Sequence, residues 1–169
     1  SEMKRQWTSV HLVTPTRPSQ PPPVGRFHDL DEWWDPAVGE TVAWLSHMNR
    51  FDAVLVNYVW LSKSFEFTPT GILKVLDTHD RVGSRRELLA SQGLPPEFFY
   101  TSDAEEIRGL ARADLVFAIK DQEGSYYRAA CPQSTTVVTL PYAEPRHRQL
   151  IQANHGSQIR FGSLAASNP

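Results

Sequence analysis

The stretch "FDAVLVNYVW" (residues 51–60) holds four successive apolar residues, Ala53–Val56, with no polar interruption. A strand with one face in water alternates apolar and polar side chains. An unbroken apolar run of this length suits a strand covered on both faces, the pattern of parallel sheets. The same signal returns in "ILKVLD" (72–77), "ADLVFAIK" (113–120) and "TTVVTLPY" (135–142), and "SVHLVTPT" (9–16), stopped by Pro15, reads as a fifth short strand. Helical patterns separate most of these runs. Asp35 is placed to cap a helix with Pro36 at its first position, and Val38, Val42, Leu45 and Met48 share one face. Further helices are predicted over 81–92, over 103–112 behind the capping box Ser102–Glu105, and over 121–131. The proline-dense segment 17–33 reads as a surface loop. Parallel neighbours need crossover connections, so strands alternating with helices predict a Rossmann-like α/β domain, a parallel sheet with helices on both faces.

The chain has 169 residues, 40% of them hydrophobic, which suits one domain with a substantial core. Its formal net charge of −2 offers no general attraction to nucleic acid or to an anionic membrane, so any anion site must be local. The lone Cys131 excludes an internal disulfide and points to a reducing compartment. With no apolar run of membrane-spanning length and no signal-peptide pattern, a soluble cytoplasmic protein is the expectation.

In an open parallel sheet, ligands gather beyond the carboxyl ends of the strands. "LDTHDRVGSRR" (76–86) puts Asp77, His79 and Asp80 at such an end. Asn57 and Tyr58 end the preceding strand and face the same crevice if the two strands are neighbours, and Glu123 and Tyr126 approach from a third side. A helix beginning near Arg81 would offer unpaired N–H groups, with Arg81, Arg85 and Arg86 adding charge, a corner suited to a phosphate. The plainer alternatives are that Asp77 or Asp80 caps the helix and the arginines form a solvated face. His79 between two carboxylates suits acid–base or charge-stabilising work. The D-x-H-D cluster has no second separated group of ligand residues, so no metal and no other cofactor is expected.

"FDAVLVNYVWLSKSFEF", "GILKVLDTHDRVGSRREL", "SDAEEIRGLARADLVFAIKDQEGSYYR" and "TTVVTLPY", in this order, resemble the N-terminal half of a group 1 (family 4) retaining glycosyltransferase of the GT-B fold, over about residues 51–142. The resemblance implies a domain that holds the sugar acceptor and faces a second domain holding the nucleotide-sugar donor. By it, residues 1–150 form the acceptor-side domain, and 151–169 form a linker and the start of the donor domain, "IRFGSLAASNP" resembling its opening strand and glycine turn. The segment "SEMKRQWTSVHLVTP" lacks the family's Gly-rich loop and resembles the second strand of such a domain. The spacing of Glu97 and Glu105 imitates a donor-domain signature but lies in the wrong domain. The resemblance makes His79 the residue that faces the donor sugar, with Asp80 its polar neighbour in the catalytic pair. Asp77 or Asp80 would fix the imidazole tautomer, and Arg85 or Arg86 would hold an anionic group of the acceptor, which is a carbohydrate or a lipid-linked glycan. This piece alone is expected to be inactive, and surface left uncovered by the absent elements offers a route to a dimer. The alternative function is a non-catalytic module that binds a phosphorylated or carbohydrate ligand. A third is a metal-dependent hydrolase built on Asp77, His79 and Asp80.

Overall fold

A computed structural model describes residues 7–16, 26–95 and 100–141, and the backbone of 161–164. Four of the predicted strands form: β1 (Ala53–Asn57), β2 (Leu73–Asp77), β3 (Leu115–Ala118) and β4 (Thr136–Thr139). All neighbours are parallel, and with β5 (Phe161–Leu164) the order is β4-β3-β2-β1-β5. The register places Val56 beside Leu76 and Leu76 beside Val116. Val54, Val56, Leu76, Val116 and Ala118 therefore share one face, and all five belong to the buried core. Each fully buried valine or leucine there contributes about 1.5–3 kcal/mol.

The helical layer over that face begins with a 3-10 helix, Leu30–Trp33, and α1 (Pro36–Met48). A nine-residue 3-10 helix, Val59–Phe67, follows β1 directly, and α2 (Arg85–Ser91), α3 (Asp103–Leu110) and α4 (Asp121–Ala130) complete the set. Leu30, Val59, Leu61, Phe65, Leu110 and Tyr127 carry the two 3-10 helices, α3 and α4 onto the sheet as parts of the same core, whereas α2 has no buried residue. The helix starts follow the local chemistry. Asp35 accepts the Ala37 N–H at 2.9 Å with Pro36 at the first position, and Ser102 accepts the Glu105 N–H at 3.2 Å.

Several expectations change. Residues 9–16 form no strand. Thr16 is tied instead to the Asp35 carboxylate by its N–H at 2.8 Å and its hydroxyl at 2.9 Å, and His11 packs edge-on against Trp44, so this segment lies along α1 rather than in the sheet. The fifth strand comes from 161–164, within the stretch that the resemblance assigns to the opening of a second domain. Its backbone pairs with β1, Ala53 beside Phe161, and satisfies an edge that would otherwise be unpaired. The 17–33 segment is more than a surface loop where it is described: Leu30 is fully buried, and Thr101 Oγ1 donates to the His28 carbonyl at 2.8 Å while the Leu30 N–H donates to Glu105 at 2.8 Å. On α1, Val42 is buried but Met48, at the last turn, is exposed.

Candidate functional site at the strand ends

The strand ladder continues past β1 and β2. The Tyr58 N–H donates to the Asp77 carbonyl at 2.8 Å, and the Thr78 N–H donates to Phe117 at 3.1 Å, with the Thr78 hydroxyl on the same oxygen at 3.0 Å. The backbone of both turns is therefore held in register. Tyr58 and His79 follow those last pairings, and they are the two non-glycine residues with positive φ among the described residues, at 68° and 58°. Tyr58, with ψ at 136°, lies outside the regions open to L-residues. His79 is the centre of a tight turn closed by the Asp80 N–H on the Thr78 carbonyl at 2.7 Å. Such conformations cost about 1–3 kcal/mol each and persist where surrounding structure enforces them.

The rings of these two residues stack, centroids 4.4 Å apart, and Tyr58 stacks in turn on the buried Trp60 at 4.5 Å. His79 Nε2–H donates to Asn57 Oδ1 at 3.0 Å, with Asp77 Oδ2 at 3.5 Å, while Asp77 Oδ1 accepts the His79 N–H at 3.3 Å. Holding the proton on Nε2 leaves Nδ1 as the basic nitrogen of the neutral ring. The His79 side chain is 42% exposed. The arrangement presents an oriented, accessible imidazole that can accept a hydrogen bond from a hydroxyl or, when protonated, face developing negative charge. Asn57, Tyr58, Asp77 and His79 thus come together at one crevice, Tyr58 from the stacked side.

The arginine corner assembles in part. The helix predicted from residue 81 begins at Arg85; Arg81 and Arg85 line one groove with Lys120, whereas Arg86 is turned to Phe27. Arg81 lies over the Tyr126 ring at 3.5 Å and bonds Asp103 at 3.1 Å; Arg85 is 4.0 Å from Asp80; Arg86 lies over Phe27 at 5.0 Å. Asp80 turns toward Arg85, and among the described residues no three His, Cys, Asp or Glu side chains come together to hold a metal. A groove of about 390 Å³ between α2 and α4 is lined by Asp80, Arg81, Ser84, Arg85, Lys120 and Glu123. Glu123 sits 3.8 Å from Lys120 Nζ, and its Oε2 is buried with no hydrogen-bond partner among the described residues.

The turn before that helix carries a feature not anticipated from the sequence. The N–H groups of Val82 and Gly83 donate to Glu106 Oε1 and Oε2 at 2.8 and 3.1 Å, and Tyr127 OH donates to Oε1 at 3.2 Å. Glu106 is almost fully buried, and burial raises its carboxyl above the ordinary range although these donors pull it back. Burial also pushes the Tyr127 hydroxyl up, with the adjacent Glu106 charge adding to it. The signal available was the helical spacing of Glu106 with Gly109 and Leu110, which puts a carboxylate on the buried stripe of α3.

No protein-family model matches the chain, and no curated protein matches it either. No helix among the described residues is long and apolar enough to cross a membrane.

Proposed function

We propose that this chain is the acceptor-side domain of a retaining glycosyltransferase, moving a sugar from a nucleotide-sugar donor to a polysaccharide or glycolipid acceptor, with His79 in the transfer cleft. The observation that carries this reading is the oriented, exposed His79 ring at the carboxyl end of β2, held by Asn57 and Asp77 in a costly backbone conformation. In a retaining transfer the acceptor attacks the face from which the nucleotide departs. The enzyme's work is then to stabilise a cationic sugar and a leaving diphosphate, which a fixed hydrogen-bonding side chain at the sugar can do. Asp77 and Asn57 position the ring, and the groove beside Asp80 takes part of the acceptor. A cytoplasmic place, at the inner face of a membrane when the acceptor is lipid-linked, goes with this reading.

The test is turnover of nucleotide sugars by the whole protein. His79→Ala is expected to lower sugar transfer per folded molecule by about 10²-fold, the scale of losing one charge-stabilising donor. Transfer that falls only as far as the folded fraction falls would sink the proposal. Saturable sugar binding with no turnover at any substrate level would replace it with the non-catalytic binding module.

A further inference from the structure

The turn that leads from His79 into α2 is built around an anion that the chain itself supplies. Successive N–H groups at Val82 and Gly83 converge on the two oxygens of one carboxylate, the geometry in which a backbone turn cradles an anion. Arg81 Nε, itself buried, lies 3.9 Å from Glu106 Oε2, and the Tyr127 hydroxyl closes the other side. A methyl group at Gly83 would overlap carboxylate oxygens of both Asp103 and Glu106, so the close approach requires glycine there.

We infer that the Val82–Gly83 turn is an anion cradle and that Glu106 is its internal ligand, a positioning residue that sets where Asp80, Arg81 and Arg85 stand at the groove. Its carboxylate holds from α3 a loop that otherwise joins β2 to a short helix lacking any buried residue and any side-chain cap. The anchorage of the two loop amides is therefore remote in sequence and resides in one carboxylate, beside the buried Val82 side chain and the Arg81–Asp103 bond. Arg81 is oriented by the same group, held between Glu106, Asp103 and the Tyr126 face, which leaves its charge inside the loop. The inference concerns how the groove is built and stands apart from what the groove binds.

Amide hydrogen exchange followed by NMR tests it on the chain as it exists. Glu106→Gln keeps the volume but offers one acceptor oxygen where two N–H donors converge. Exchange at Val82 and Gly83 should accelerate about tenfold or more while β1–β3 stay protected, because bonds to a charged acceptor are the stronger kind. Glu106→Ala opens a space of carboxylate size, and added formate should restore protection at Val82 and Gly83 saturably. Protection at both amides within about twofold of the parent in Glu106→Gln overturns the inference, as does a folded Glu106→Ala variant in which formate restores nothing. If the alanine variant does not fold, the glutamine variant alone decides.

Discussion

Tyr58 and His79 lie at the ends of adjacent parallel strands, both hold positive φ, and their rings stack at 4.4 Å. The two rings pack on each other beyond the strand ends, so the two costly conformations adjoin. Glycine at residue 79 would relieve the backbone, while alanine would keep the cost and lose the ring. The usual order of the two substitutions should reverse: His79→Gly should be more stable than His79→Ala by about 1 kcal/mol. Urea unfolding of the pair reads this directly, and alanine as the more stable variant would show that the turn is relaxed.

Asp31 fastens the first 3-10 helix to the helical layer. It accepts from Arg112 at 2.6 Å and from Arg108 at 3.0 Å, and Arg112 also reaches Glu66 at 3.1 Å. Partial burial would raise its carboxyl, but the bonds from Arg112 and Arg108 prevail and lower it from 3.8 to about 2. A depressed carboxyl pKa contributes stability that is complete above its unfolded value and is lost as pH falls through the folded one. The melting temperature of the parent should therefore exceed that of Asp31→Asn above about pH 4, with the gap closing toward pH 2. A gap that is constant with pH would mean that Asp31 contributes shape and not charge.

Glu106 carries the opposite sign. Its folded pKa lies above the ordinary carboxyl value because burial outweighs the donors around it. The folded chain therefore holds that proton more tightly than the unfolded chain, and stability falls as pH rises from the ordinary carboxyl range through the raised value. The groups facing it are Arg81 on the loop, Asp103 on its own helix, and Tyr126, Tyr127 and Cys131 on or just after α4. In Glu106→Gln this decline should disappear, so urea midpoints measured between about pH 4 and pH 8 should be flatter than in the parent. An unchanged decline would assign it to another group.

Gly109 marks where α3 approaches the 3-10 helices. A Cβ there would come within 2.6 Å of Val59 Cγ2 and 3.1 Å of Ser62 Oγ, with Leu30 crowding the third side. Gly109→Ala should thus lose about 1–3 kcal/mol, although alanine is the better helix former. Chemical denaturation measures the loss, and a more stable variant would mean that the layer gives way locally.

The strands β1–β4 and the caps of α1 and α3 were legible because their signals are local: apolar runs, Asp35 before Pro36, and Ser102 three residues before Glu105. The adjacency of β1 and β2 followed from topology and brought Asn57, Tyr58, Asp77 and His79 to one crevice. What stayed hidden depends on distant partners. Residues 9–16 have strand chemistry but are tied to Asp35 and α1. The arginines at 81, 85 and 86 are close in sequence, yet each takes a different partner, Tyr126, Asp80 and Phe27, and Arg86 does not line the groove that Arg81 and Arg85 share. Positive φ at Tyr58 leaves no mark, since tyrosine does not favour it, and at His79 the only local sign is that histidine is among the few non-glycine types enriched there.

Strand order also bears on how the sheet is assembled in time. β1 and β2 are close in the chain and meet early at low entropic cost, whereas β5 pairs with β1 across most of the chain's length. Closing that large loop makes it the slow kind of contact, the sort that lowers folding rates when it falls in the rate-limiting step. Until β5 docks, β1 is an open edge whose backbone groups can pair with another chain. The half of the crevice made by Asn57 and Tyr58 stands on that strand, so a contact made across most of the chain also covers the edge on which the site is built.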